Sequence, residues 1–551
     1  MTNARTVALA RLRATDPVVR AGIDGSALAA GLRATGVRFA AVGGPLEERW
    51  HRALSELDGA VAATFGDREV LREGGGYPGA WLESTGSISA DMLRRWAPAV
   101  AADTLRQYAE HQRDDGLLPY KITADGPAFS QIQIVTPFAR VVWRHYLAAG
   151  RDRGFLRTMY DAMVRNDAWL ARFRDTGGTG GVEAFCTFDT GHDLSPRFWF
   201  APERGYRSDA RYCDPGSSTL PYIAPDLTAN VACQRAYLAR IAQELGGDVG
   251  EQADAWRAAA TQSLDALYRQ CFDPQDGLFY DRDRRGARVR IASDVLLRVL
   301  ACEVGDEEFF VECLRRYLLN TRKFLAHYGF TSIAMDDPRF DHDASRNSWG
   351  GPVNFLALLR APDAFEHHGH PAELAAASAP VIAALAVADR FPQCLDPWSG
   401  EPGFAEGYSP SMLWLLDAIE RFSGILPTPE GEVWFTGLSP TRLGHGAAAT
   451  AVAAARTTEA GAWELAADDD RVEVHRDGAP AFSFPRGLRI VTDAGGIVRR
   501  VVNVASAPVS GELVIGDDSI GIGLGPNEYV EIVGGGVTAR GGGSFVPPVF
   551  G

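Results

Sequence analysis

From about residue 75 to 425, apolar positions recur at spacings of three and four, the signature of helices that bury one face. The stretches lie near 88–97, 98–113, 131–149, 154–175, 226–246, 249–271, 291–302, 306–318, 351–360, 370–389 and 409–422, with a further amphipathic stretch at 45–57. Long loops rich in Gly, Pro and Asp separate many of them. About a dozen helices result, and they pair in chain order into hairpins. A superhelical solenoid would require neighbouring repeats to resemble one another, and these segments do not. A mainly α toroid, a closed ring of helical hairpins, is therefore expected, with tight turns on one rim and long loops on the other.

The texture changes at Leu426-Pro427-Thr428-Pro429. Short β-rich runs follow at 432–436, 472–475, 488–491, 498–504, 511–515 and 529–532, separated by Gly and Asp turns. These predict a small antiparallel β-sandwich. Its Gly-rich tail, 534–543, carries no recognisable chemistry. Residues 1–66 mix short helical and strand-like pieces. The expected organisation is an N-terminal extension contributing to the barrel (1–66), a helical barrel (67–425) and a C-terminal β-domain (426–551).

Composition narrows the function classes. The chain has 551 residues and a formal net charge of −15 without a long basic run, so neither nucleic acid nor an anionic membrane is the expected partner. Seven scattered cysteines without CxxC spacing read as buried thiols of a reducing compartment. Residues 1–18 carry charges and no apolar core of a signal peptide. No apolar run reaches the roughly 20 residues of a membrane span. A cytoplasmic location is expected; oligomeric state leaves no trace in the sequence.

Three loops concentrate carboxylates, aromatics and glycines. GGGYPGAWLESTGS (74–87) either packs ahead of the next helix or offers Tyr77 and Trp81 to a sugar face and Glu83 to its hydroxyls. VEAFCTFDTGHDLSPRF (182–198) gathers Asp189, His192, Asp193 and Arg197 beside aromatic residues. An acid held among aromatics has its charged form disfavoured, which suits proton donation; the plainer reading has Asp193 capping a turn before Ser195-Pro196. DRFPQCLDPWSGEPGFAEGYSPSMLW (389–414) holds Asp396, Glu401 and Glu406 with Trp398, Phe404 and Tyr408. One of those acids is a candidate second catalytic group, although each taken alone reads as a loop cap or a solvated acid.

EHHGH (366–370) lacks the i,i+4 spacing or partner cluster of a metal site and reads as an exposed inter-helix loop, so no metal is expected. No GxGxxG follows a strand and no Walker A motif occurs, so no nucleotide cofactor is expected either.

With these blocks in view, residues of about 70–425 resemble the clan of inverting (α/α)6-barrel glycoside hydrolases, which comprises trehalases and glycoside hydrolase families 37 and 63. Glucosylglycerate and mannosylglycerate hydrolases are bacterial relatives of the latter. GGGYPGAWLES resembles the clan's opening block, with Leu82-Glu83-Ser84 where Trp-Asp-Ser is usual, and Ser130-Gln131 its Thr-Gln-Pro-Pro turn. FDTGHDLSPRF resembles the block that carries the general acid, at the position of Asp193. DGLFYDRD (276–283), YGFTSIAMDDPRFD (328–341) and SWGGPVNF (348–355) are similar to later barrel segments. QCLDPWSG (393–400) stands where the clan's general base opens a Glu-x-Tyr-Asp/Asn-Pro segment, and the position here is Gln393. An amide cannot take a proton from water near neutral pH. Asp189 replaces the usual Glu and Asn354 the usual Trp.

The resemblance implies a six-hairpin barrel acting on a small glycoside or glycoconjugate without a cofactor. Asp193 would be the general acid, and with Gln393 disqualified Glu406 and then Glu401 are the expected water-activating groups. Tyr77, Trp81, Trp349 and Trp398 would shape sugar subsites. Gln131, Arg197 and Gln393, with Glu83, Asp189 and His192, would complete a polar shell. The alternative is a non-hydrolytic isomerase or lyase acting on a carbohydrate or cyclitol on the same barrel, which needs no water-activating Glu.

Overall fold

The computed structural model describes residues 3–134, 136–438 and 448–550. Its first part is mainly helical and its last part consists of antiparallel strands. The helices fall into two kinds by what they bury. Ser409–Ser423 is buried along its whole length, and Pro225–Leu245 is buried on every side over its first ten residues. A helix apolar or shielded all round belongs inside a larger assembly. Ala253–Cys271, in contrast, buries one stripe, Ser263, Ala266, Leu267 and Cys271, and packs along Pro225–Leu245 as the outer member of a hairpin. Leu46–Ala60 and Pro371–Val387 pack in the same way on Ser409–Ser423.

Local chemistry sets the helix ends. The Asp152 carboxylate accepts from the Gly154 and Phe155 amides at the start of Arg153–Phe173, satisfying donors that have no partner inside the helix. Pro225, Pro371 and Pro410 occupy first turns, where no amide hydrogen is needed. The helix expected over 131–149 is shorter, Phe138–Ala148. Pro137 disfavours helix in the residue before it, and Gln133 has a left-handed backbone with φ of 44°. The residues ahead of this helix are thereby freed to line the site.

Strands of two or three residues, too short to show a periodicity, tie the long loops together. Ala80–Trp81 pairs with Lys121–Thr123, and Val353–Asn354 with Cys394–Leu395.

In the C-terminal part, a six-stranded sheet runs in the order Ile425–Pro427, Val433–Thr436, Leu488–Thr492, Val498–Asn503, Glu528–Val533, Gly536–Gly542. Phe435 of this sheet meets Trp463 and Phe482 of a seven-stranded sheet at ring separations of 4.9 and 5.1 Å, so the two sheets pack face to face. The edge strand of the larger sheet is Arg38–Val42, paired antiparallel with Ala451–Ala455. The N-terminal extension is thus divided: Ala4–Ala14 and Arg38–Val42 pack with the strands, and Leu46–Ala60 with the helices. The Ala-rich strand Ala451–Thr458 escapes a propensity reading because alanine is a poor strand former. Its small side chains are buried together with Ala8 and Leu12.

The EHHGH segment departs from the expected exposed loop. His368 stacks on Phe310 with ring centroids 4.3 Å apart, and His370 is fully buried with its Nδ1 3.0 Å from Glu373. All seven cysteines are free thiols, and six are buried. Among the described residues no helix is long and apolar enough to cross a membrane.

Candidate active site

A cavity of about 180 Å³ opens among the long loops, and Asp193, Glu83, Glu73, Tyr77, Trp81, Gln131 and Gln393 face it. Asp193 stands in a turn shaped by left-handed residues on both sides, Gly191 (φ 69°) and Leu194 (φ 57°). The Trp349 amide holds its carbonyl at 2.9 Å, and the Asn347 side-chain amide donates to its carboxylate. No cation pairs with it among the described residues. Burial, and then the negative charges of Glu83, Glu73 and Glu203, hold the Asp193 carboxyl well above the usual carboxylate range. Its neutral form is thereby favoured, and it faces a cavity.

Glu83 differs in kind. Arg360 donates to its Oε1 at 2.9 Å and Arg298 lies 3.7 Å away, so two guanidinium groups hold it in place. Its other oxygen presses against Gly191.

Glu73 was missed by the sequence reading, since a lone Glu ahead of three glycines reads as loop. The Tyr408 hydroxyl donates to it at 2.9 Å. Burial pushes its carboxyl up to about 8. Tyr77 donates to the Gln393 Oε1 at 2.7 Å, and its ring lies between Trp81 (5.8 Å) and Tyr408 (6.1 Å). The Gln393 backbone amide donates in turn to the Phe404 carbonyl at 2.8 Å. Gln131 donates to the Phe188 carbonyl at 3.4 Å. Lys121 and Arg204 also line the cavity, and Lys121 lies over the Trp81 ring at 4.7 Å. Neither is carried by a recognisable motif.

Four residues expected to touch substrate stand behind the cavity wall instead. Asp189 is fully buried and bridges Arg174 to the Ile132 and Phe185 amides. Arg197 is locked between Asp226 and Asp281. His192 receives Arg197 at Nδ1 (2.7 Å), which leaves the proton on Nε2 for Asp294 (2.8 Å). Burial and the neighbouring Arg298 push its pKa down to about 3, so it stays neutral. Trp349 is buried, edge-on to His192 and beneath Arg298. In sequence, a buried ion-pair scaffold and a substrate shell look alike, because both place charges beside aromatics.

The third loop behaves differently again. Glu401 and Glu406 are exposed and do not line the cavity, and Trp398 packs against His342 and Phe340 away from it. The Leu395–Pro402 bridge folds this segment back on itself.

Residues 77–411, more than half of the chain, match the family described as the mannosylglycerate hydrolase MGH1-like glycoside hydrolase domain. The chain belongs to that family and is a glycosidase. No curated protein matches it in sequence. Among solved structures it is similar to the GH63 mannosylglycerate hydrolase from Thermus thermophilus in complex with Tris, at 19% identity over 66% of this chain and 98% of that one, with a TM-score of 0.54. The same Thermus enzyme with Tris and D-glycerate aligns at 19% identity over 68% and 99% of the two chains, TM-score 0.54. The neutral trehalase from Saccharomyces cerevisiae aligns at 12% identity over 64% and 74%, TM-score 0.50. These likenesses establish a shared fold.

Proposed function

We propose that the chain hydrolyses a small glycoside, with Asp193 protonating the leaving oxygen. The observation that carries this reading is a largely buried carboxyl that faces the cavity beside the Glu83 carboxylate, with no cation paired to it among the described residues. A general acid needs this condition near neutral pH. The rings of Tyr77 and Trp81 offer apolar surface to a sugar, and Glu83, Gln131 and Gln393 offer hydrogen-bonding groups to its hydroxyls. Lys121 and Arg204 suit an anionic aglycone, a glycosyl glycerate for example, and the Thermus enzyme is described in complex with Tris and D-glycerate.

The scaffold behind the site is read as a closed (α/α)6 ring. Ala90–Leu93 touches Phe138–Ala148, which touches Pro225–Leu245, and the contacts continue through Val295–Leu300, Ala361–His367, Phe355–Leu358 and Ser409–Ser423 back to Ala90–Leu93. The boundary to the β-domain is placed near residue 425, between Ser409–Ser423 and Ile425–Pro427.

The test is a panel of α-mannosides, α-glucosides and glycosyl glycerates with products identified in ¹⁸O-labelled water. Label in the released sugar and a loss of roughly 10²–10⁴-fold in Asp193→Asn support the reading. Unlabelled product would point to the isomerase or lyase alternative, which the amide at Gln393 favours.

A further inference from the structure

Hydrolysis needs a second group, one that takes a proton from the attacking water. Among the described residues three carboxylates face the cavity: Asp193, Glu83 and Glu73. Asp193 is the donor in the reading above. Glu83 is already engaged by two guanidinium groups, Arg360 at 2.9 Å and Arg298 at 3.7 Å, and is not free to approach a water. Gln393 is an amide whose oxygen already accepts from Tyr77. Glu401 and Glu406 point elsewhere.

Glu73 is left. It is buried except toward the cavity, it forms no ion pair among the described residues, and a hydroxyl rather than a guanidinium orients it. Its backbone is pinned at both ends, the amide donating to the Gly79 carbonyl at 3.0 Å and the carbonyl accepting from Ser409 at 2.9 Å. The following residue, Gly74, lies so near the Gly407 carbonyl that an added Cβ would stand 2.2 Å away. The segment is therefore clamped in place.

We propose that Glu73 is the general base, a role that rests on the reading of Asp193 as donor. In the step, a Glu73 oxygen removes a proton from water while the water oxygen bonds to the anomeric carbon. The bond from that carbon to the aglycone oxygen breaks, the electron pair leaves with the oxygen, and the oxygen takes the proton of Asp193. Glu73 ends protonated and Asp193 ionised, and solvent returns the proton from one to the other. Attack on the face opposite the leaving group inverts the anomeric centre. Because burial raises the Glu73 carboxyl to about 8, its basic form grows as pH rises toward that value.

Glycosyl fluorides separate the two roles, since fluoride departs without a proton whereas water must still lose one. With α-D-mannosyl and α-D-glucosyl fluoride as probes, Glu73→Gln is expected to lose roughly 10²–10⁴-fold, whereas Asp193→Asn loses far less on the fluoride than on a glycoside. Azide, which needs no base, should restore turnover of Glu73→Gln and yield a glycosyl azide. Unmodified enzyme should show kcat/KM rising to about pH 8, a readout independent of any variant's folding. Glu73→Gln within about tenfold of wild type on the fluoride, a loss that azide does not relieve, or a pH profile flat up to 8 would overturn the assignment. Failure of the Asp193 reading looks different: Asp193→Asn would keep full activity on glycosides while Glu73→Gln lost it. Wild-type enzyme idle on fluorides and glycosides alike would overturn both.

Discussion

Glu83 and Gly191 are in such close register that a methyl group on Gly191 would stand 2.0 Å from the Glu83 Oε2. Gly191 is also left-handed, with φ of 69°, so the position excludes a side chain on two separate grounds. The contact brings the Glu83 carboxylate within two residues of Asp193, where, after burial, it adds to the upward shift of that acid.

Gly191→Ala is accordingly expected to cost about 1–3 kcal/mol from backbone strain and to displace the Glu83 carboxylate. Thermal unfolding reads the first effect. A fall in kcat/KM larger than the loss of stability explains reads the second.

Asp189→Asn should be among the most damaging conservative changes. The Asp189–Arg174 pair is fully buried, and removing one charge leaves the other uncompensated, at a cost of about 3–5 kcal/mol. Urea unfolding measures this. A shift below about 1 kcal/mol would show that the pair does not hold the loop.

At the cavity rim, Lys121→Ala or Arg204→Ala should raise KM for a glycosyl glycerate roughly tenfold, the effect of losing one charge-assisted hydrogen bond. An uncharged methyl glycoside should be affected much less. Equal losses on both substrates would remove the argument for an anionic aglycone.

Glu73 also makes a stability prediction with a definite sign. Its folded pKa, about 8, lies above the ordinary 4.5, so between these values the unfolded chain ionises and the folded one does not. Stability should fall as pH rises from about 4.5 to about 8, and Glu73→Gln should flatten the slope. Denaturation midpoints of both proteins at pH 5 and pH 8 give the comparison; parallel slopes would argue against a raised Glu73.

How far the sequence reaches differs by element. Helices such as Arg153–Phe173 and Ser409–Ser423 are legible because they are long and start on recognisable residues, the Asp152 cap in the first and Pro410 in the first turn of the second. Asp193, Tyr77, Trp81 and Gln131 are brought to one cavity, as their motifs suggest. Glu73, Asn347 and Lys121 were not legible, because each reaches the cavity through pairings of distant loops that leave no local pattern. Asp189, His192 and Arg197 were read as substrate contacts because composition cannot show which way a charge points.

The pairing of Arg38–Val42 with Ala451–Ala455 carries a consequence for how the chain is made. Arg38 lies opposite Ala455, so this strand leaves the ribosome more than four hundred residues before its partner exists. Until then it is an unsatisfied edge, prone to pair with whatever comes near. A protein cut back at its start to Leu46 would strip the larger sheet of that border strand, and an unguarded margin of that kind invites clumping even where the cavity itself is intact.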